Sequence, residues 1–171
     1  DSLNCTVSTV INITNSPPVN WVSVSHTDAL CNGSNDGTIT AQAGGGLAPF
    51  SYTLMPGGAN NNTGNFTGLS PNSYTVTAVD INGCSNSTVI VINNPTPVGW
   101  TLFTSVNVLC ANGNTGNISV LVGGGTPGYI YNLMPGNINS VTGIFNGLLT
   151  GTYTVTATDI NGCSITSTVT I

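Results

Sequence analysis

Tyr74-Thr75-Val76-Thr77-Ala78-Val79-Asp80-Ile81-Asn82-Gly83-Cys84-Ser85-Asn86-Ser87-Thr88-Val89-Ile90-Val91-Ile92 is the stretch that decides the fold. Tyr74, Val76 and Ala78 alternate with Thr75 and Thr77, the period of two that puts one set of side chains on a core and the other in water. Asn82-Gly83 follows, and both residues tolerate the positive φ of a tight hairpin turn, with Asp80 placed to cap it. A second β-branched run then begins at Ser85. Two half-buried antiparallel strands joined by a turn are the reading.

The same words recur further along the chain. With Val19 laid on Val98, residues 19–92 align with 98–171 without a gap, which makes the chain an internal repeat. Trp21 falls on Trp100, Cys31 on Cys110, Gly44-Gly45-Gly46 on Gly123-Gly124-Gly125, Leu54-Met55-Pro56-Gly57 on Leu133-Met134-Pro135-Gly136, and Asp80 to Cys84 on Asp159 to Cys163. The same offset also lays residues 4–18 on 83–97, with Cys5 on Cys84, Ile11 on Ile90 and Ile13 on Ile92. The first eighteen residues therefore read as the last strand of a further repeat.

Working outward from the hairpin, Gly and Asn clusters fall roughly every 8–12 residues, the turn spacing of a small sandwich. Strands are expected at about 20–30 (A), 37–43 (B), 50–55 (C), 64–69 (E), 73–80 (F) and 85–92 (G), with their counterparts in the second copy, and strand D is left open. Leu69-x-x-x-x-Tyr74 and Leu148-x-x-x-x-Tyr153 place a tyrosine at the start of strand F, from which a phenol can bond back to the preceding loop. Pro17-Pro18 and Pro95-Thr96-Pro97 are short stiff linkers that exclude a helix. The predicted architecture is all-β: a lone N-terminal strand with its linker (1–18) and two tandem immunoglobulin-like β-sandwiches (19–97 with linker, and 98–171), stacked as a rod.

Composition narrows the function. Lys and Arg are absent, and the five acidic residues are Asp1, Asp28, Asp36, Asp80 and Asp159. An ordinary domain carries about a quarter charged residues. Without cations the chain cannot neutralise phosphates, which excludes nucleic acid and anionic lipid surfaces as partners. Arginine clamps and Schiff-base lysines go with them, as do lysine–asparagine cross-links and trypsin sites. Mean hydropathy is +0.25. Polar residues nevertheless interrupt every apolar run well before the ~18 residues of a membrane span. Asp1 opens straight into strand-like sequence, which reads as a mature or excised piece.

Each candidate constellation has a plainer explanation. His26 is the one histidine and its repeat equivalent is Ser105, so a triad or metal site would have to live in one copy alone; a solvent-facing strand residue is the better reading. A glycosidase needs paired carboxylates, yet Asp28 and Asp36 are replaced by Asn107 and Thr115 in the second copy. Asp80-Ile81-Asn82-Gly83 and Asp159-Ile160-Asn161-Gly162 resemble the start of a calcium loop but lack its closing carboxylate, which favours the hairpin. The glycine triplets have no lysine or helix to make a phosphate cradle, and read as loops. Trp21 and Trp100 could serve as carbohydrate platforms, but their place beside the linkers favours packing against the neighbouring domain. No enzyme activity and no cofactor or metal are expected. Asn4, Asn12, Asn32, Asn61, Asn65, Asn86 and Asn117 each open an Asn-x-Ser/Thr triplet, and covalent sugar would solubilise a surface so poor in charge.

Cys31-x-Gly33-x-x-x-Gly37-x-Ile39, Gly45-Gly46-x-x-Pro49-Phe50-x-Tyr52 and Tyr74-x-Val76-x-x-x-Asp80-x-Asn82-Gly83-Cys84 resemble the SprB-type repeat of Bacteroidetes cell-surface adhesins. Both copies carry the pattern, although Asn112 stands opposite Gly33 and Pro127 lies one place before the position of Pro49. The resemblance implies export, an exposed position at the cell surface and a mechanical or adhesive role. Asp1-Ser2-Leu3 is similar to the O-glycan attachment site of this bacterial group, which makes Ser2 a further candidate.

Exported cysteines are expected to be oxidised. Cys31 follows strand A and Cys84 lies in the F–G turn, at opposite ends of one sandwich. A disulfide spans about 4.4–6.8 Å between Cα atoms, whereas a seven-residue strand is about 23 Å long. In a head-to-tail rod Cys31–Cys163 between domains is therefore favoured, with Cys31–Cys84 and Cys110–Cys163 within domains as the alternative. Cys5 is the odd cysteine, placed for a subunit junction. Residues 2–13, through Val7, Thr9, Ile11 and Ile13, are expected to act as a strand donated to another subunit, unless they are the remnant of a longer array. The expected function is a structural subunit of an extracellular filament or stalk whose partners are copies of itself and covalent glycans. A ligand-binding adhesin module is the alternative.

Overall fold

The computed structural model of the chain describes residues 6–110 and 112–171. Among them there is no helix, and fourteen strands form four antiparallel sheets. The first sandwich comprises β1 (Val19–Thr27), β2 (Gly37–Gly45), β3 (Ser51–Met55), β4 (Ala59–Asn61), β5 (Asn65–Leu69), β6 (Asn72–Val79) and β7 (Ser85–Ile92). Its sheets run β1-β2-β5 and β4-β3-β6-β7. The second repeats it with β8 (Gly99–Val106), β9 (Gly116–Gly123), β10 (Ile130–Met134), β11 (Ile138–Ser140), β12 (Ile144–Leu148), β13 (Thr152–Thr158) and β14 (Ser164–Thr170), as β8-β9-β12 and β11-β10-β13-β14. The strand left open by the sequence is the three-residue β4, which pairs with β3 and so joins the sheet of β6 and β7.

Alternation builds each core. Ile39, Ala41 and Ala43 of β2 meet Tyr52 and Leu54 of β3 and Tyr74, Val76 and Ala78 of β6, closed by Phe66, Ile90 and Ile92. Ile118, Val120, Tyr131, Leu133, Phe145, Val155 and Ala157 do the same in the second sandwich. Burying a side chain such as Ile39 or Leu54 contributes about 1.5–3 kcal/mol. On the outer faces hydroxyls pair across strands where other proteins place charges. Thr77 lies 2.9 Å from Ser87, Thr156 3.0 Å from Thr166 and Thr27 2.8 Å from Thr38.

Tyrosines complete the ladders. Ala41 N–H bonds Gly64 O at 2.9 Å, but β5 does not reach Ala43, whose N–H donates instead to the Tyr52 hydroxyl at 3.0 Å from the opposite sheet. Val122 and Tyr131 repeat this at 3.3 Å. Tyr74 and Tyr153 bond back to Ser70 O and Leu149 O at 3.0 and 3.1 Å.

The structure corrects one expectation. The sequence pattern carries strand A on to residue 30, but β1 ends at Thr27 because Asp28 and Ala29 turn to Asn93: Asp28 accepts Asn93 N–H at 2.8 Å and its Nδ2 at 3.0 Å. The N-terminal segment expected to be donated to another subunit lies outside both sandwiches. Residues 6–18 are exposed and form no regular structure, since a strand needs a ladder partner and no sheet edge of this chain takes them.

Candidate functional site

The chemistry-bearing residues gather where one sandwich meets the next. Cys31, in the β1–β2 turn, and Cys163, in the β13–β14 turn, form a disulfide with Cα atoms 5.5 Å apart across 132 residues of sequence. The pairings Cys31–Cys84 and Cys110–Cys163 are not made. They would have to span the length of a sandwich.

Local structure aims both sulfurs. Asp36 Oδ1 accepts Leu30 N–H at 3.0 Å and the Ser34 hydroxyl at 2.7 Å, while Ser34 N–H bonds Cys31 O at 3.0 Å. On the other side Asp159, buried, accepts Asn161 N–H and Cys163 N–H on Oδ1, each at 2.9 Å, and Thr126 N–H on Oδ2 at 2.8 Å. Burial pushes the Asp159 carboxyl up, but the surrounding N–H groups outweigh it and hold the group below the usual carboxylate range. A capped hairpin is therefore what the Asp-Ile-Asn-Gly sequence makes, and both carboxylate oxygens are committed to backbone donors. No metal-binding group of acidic, histidine or cysteine side chains occurs among the described residues.

The linker is clasped from both sides. Asn32 Nδ2 donates to Pro95 O at 2.9 Å and Gly33 N–H to Asn94 Oδ1 at 2.8 Å, while Gly125 N–H donates to Thr96 O at 2.8 Å. Asn161 Nδ2 reaches Leu30 O at 3.5 Å. A cleft of about 290 Å³ remains beside the disulfide, lined by Asn32, Pro95, Pro97, Val98 and Ser164. The glycine triplets, which the sequence alone presents as plain loops, are the seats of these linkers. Gly45 has φ 67° and Gly124 φ 75°, and a Cβ at either would run into the carbonyl of Pro18 or Pro97. The signal was in the repeat, because each triplet recurs together with its own preceding proline.

The remaining candidates separate. Cys84 and Cys110 are exposed and free, at the two outer ends of the pair of sandwiches. Cys5, Ser2 and Asn4 lie outside the described residues. Val7 and Ile13 are 99% and 95% exposed, with Thr9 and Ile11 exposed between them. His26 is half-exposed on β1, with Nε2 3.6 Å from Asp28 Oδ1. Trp21 and Trp100 each lie against the core of their own sandwich, Trp100 edge-on to Phe103 with ring centroids 4.9 Å apart, and their indole N–H groups find no acceptor. Among the triplet asparagines, the side-chain nitrogens of Asn32, Asn61, Asn86 and Asn117 donate to backbone carbonyls, whereas Asn12 and Asn65 are exposed. No helix of the described residues is long and apolar enough to cross a membrane.

One surface differs between the copies. Leu102, Leu121 and Ile144 line a cleft on the outer face of β8-β9-β12, where the first sandwich has Ser23, Gln42 and Asn65.

The family model of the SprB repeat matches residues 23–59 and 102–137. No curated protein matches the chain. Among solved structures, the N-terminal eight Ig domains of Down Syndrome Cell Adhesion Molecule isoform 1.30.30 match at 13% identity and a TM-score of 0.44, over 91% of this chain and 25% of that one. The chain thus spans a quarter of that structure's length. The DIP-gamma IG1+IG2 structure matches at 10% identity and a TM-score of 0.41, over 90% of this chain and 96% of that one. Protocadherin Gamma B7 cadherin domains 1–4 match at 16% identity and a TM-score of 0.34, over 91% of this chain and 49% of that one.

Proposed function

We propose that this chain, a tandem of two SprB repeats and thus a cell-surface adhesin-type module, is a structural subunit of an extracellular filament or stalk. The reading holds that it assembles head to tail by strand donation, carries covalent glycans and has no enzymatic role. The observation that supports it most is the Cys31–Cys163 disulfide. Two sandwiches already joined by a clasped linker receive a second covalent bond at the same joint, which resists bending and pulling and serves no catalytic step.

The exposed segment through Val7, Thr9, Ile11 and Ile13 supplies the means of assembly. It carries an apolar face and unpaired backbone groups, which an open sheet edge of a neighbouring subunit would satisfy. Residues 7–16, if extended, reach about 33 Å, roughly the length of one sandwich. Glycans, at Asn12 or Asn65 among the described residues, would hydrate a surface that holds so few charges.

Electron microscopy of the full chain and of a variant lacking residues 1–14 tests the assembly. Filaments from the first and folded monomers from the second are expected, and normal filaments from the truncated chain would overturn strand donation. Mass spectrometry of native material tests glycosylation, with hexose-spaced additions expected. The apolar cleft at Leu102, Leu121 and Ile144 supports a second reading, a ligand-binding adhesin module, for which saturable binding on a glycan array is the decisive result.

A further inference from the structure

We propose that Cys110 of one copy and Cys84 of the next form an intermolecular disulfide that repeats the Cys31–Cys163 joint and converts the assembly into a covalent chain. The inference rests on the head-to-tail reading above and names the residues that would fasten each joint between copies.

The internal repeat carries Cys31 onto Cys110 and Cys84 onto Cys163, so each sandwich has one cysteine in the turn after its first strand and one in the turn before its last. The disulfide in hand joins the first type in one sandwich to the second type in the next. Applying the same step once more leaves Cys110 facing a turn of the Cys84 type. Reversing it leaves Cys84 facing a turn of the Cys110 type. A second copy of this chain supplies both.

The unpaired halves are already shaped like the paired ones. Asp80 Oδ1 accepts Asn82 N–H at 3.0 Å and Cys84 N–H at 2.8 Å, as Asp159 does for Asn161 and Cys163 at 2.9 Å each. Gly113 N–H bonds Cys110 O at 2.9 Å, as Ser34 N–H bonds Cys31 O at 3.0 Å. Leu109 N–H bonds the Thr115 hydroxyl at 3.0 Å, where Leu30 bonds Asp36 at the same distance. Both sulfurs are exposed and no cysteine of their own sandwich is within reach. Asn82 is the counterpart of Asn161, and in such a joint it would reach Leu109 O as Asn161 reaches Leu30 O. The two faces differ, so the contact is heterologous and is of the kind that can propagate along a fibre.

The chemistry balances with a small disulfide oxidant such as oxidised glutathione. The Cys110 thiolate attacks the oxidant and releases one glutathione thiolate; Cys84 of the next copy, losing its proton, attacks the resulting mixed disulfide and releases the second. Two protein thiols are oxidised and one small disulfide is reduced to two thiols.

The test uses the full chain carrying C5S, which removes the remaining cysteine, incubated with oxidised and reduced glutathione and run without reductant. A ladder of multimers is expected. Since the chain has no trypsin site, chymotryptic mapping should recover a Cys84–Cys110 peptide beside Cys31–Cys163, whose retention reports correct folding. Adding C84S or C110S should abolish the ladder, and mixing the two variants should give dimers that go no further. A ladder that persists in either single variant, or the absence of a Cys84–Cys110 peptide from folded protein, overturns the proposal. Filaments seen by microscopy without that peptide refute the disulfide alone, whereas absence of both filaments and peptide refutes the assembly reading as well.

Discussion

Asp159 Oδ1 accepts the backbone N–H of Cys163 at 2.9 Å, so the carboxylate that shapes the β13–β14 turn also aims the sulfur that holds the two sandwiches together. Asp80 stands in the same relation to Cys84, with its other oxygen on Leu47 N–H at 2.9 Å. Replacing either with Asn removes one acceptor and turns an NH₂ group toward backbone donors. D159N and D80N are expected to lower the melting temperature of their own sandwich, and D159N also to slow re-formation of Cys31–Cys163 after reduction. Calorimetry and timed thiol quenching would check both.

Acid should reach the same turns. Hydrogen bonds from Leu47, Cys84 and Asn82 hold Asp80 below the usual carboxylate value of 3.8, and Asn93 and Ser34 do so for Asp28 and Asp36. A depressed folded-state value means stability that is complete above the ordinary value and lost as pH falls from there through the folded one. A melting temperature flat from pH 7 to about 5 and falling below about pH 4 is the expected profile.

Tyr52 and Tyr131 test the ladder caps. Y52F leaves the buried N–H of Ala43 without an acceptor, at a cost of about 1–3 kcal/mol. The longer bond at Tyr131 predicts a smaller loss for Y131F. Denaturant unfolding of each variant measures the difference.

The linker seat predicts the effect of G45A and G124A. A left-handed backbone costs an L side chain about 1–2 kcal/mol. Here the added methyl also meets a linker carbonyl. Both variants should lose stability, with faster hydrogen exchange at Gly46 or Gly125, whose N–H groups hold the linker.

Core truncation sets the scale. Ile39 and Val76 are fully buried at the centre of the first sandwich. I39A should cost about 2–5 kcal/mol, and V76A, which removes fewer carbons, should cost less. Calorimetry of each variant should show the second sandwich melting unchanged.

The hairpin from Tyr74 to Ile92 was legible because its period of two and its Asn-Gly turn are local, and β6 and β7 begin and end within a residue of the sequence reading. What the sequence hides depends on distant partners. Strand A stops short of its pattern because Asp28 is claimed by Asn93, 65 residues away, and the glycine triplets reveal their purpose only when a linker is laid against them. The place of Trp21 beside Pro18 suggests a neighbouring domain, whereas its ring turns onto its own core near the bulge between Trp21 and Ser23. The cysteine geometry was accessible from strand length, since only sandwich ends that abut come within disulfide reach.

The hydroxyl pairs on the outer faces, Thr77 with Ser87 and Thr156 with Thr166, carry no net charge for dissolved ions to shield. Ion pairs on an ordinary exterior weaken as the Debye length shrinks from about 30 Å at 0.01 M to about 3 Å at 1 M. This exterior has no Lys or Arg with which to make them. Its strand pairing should therefore hold equally in rainwater and in brine.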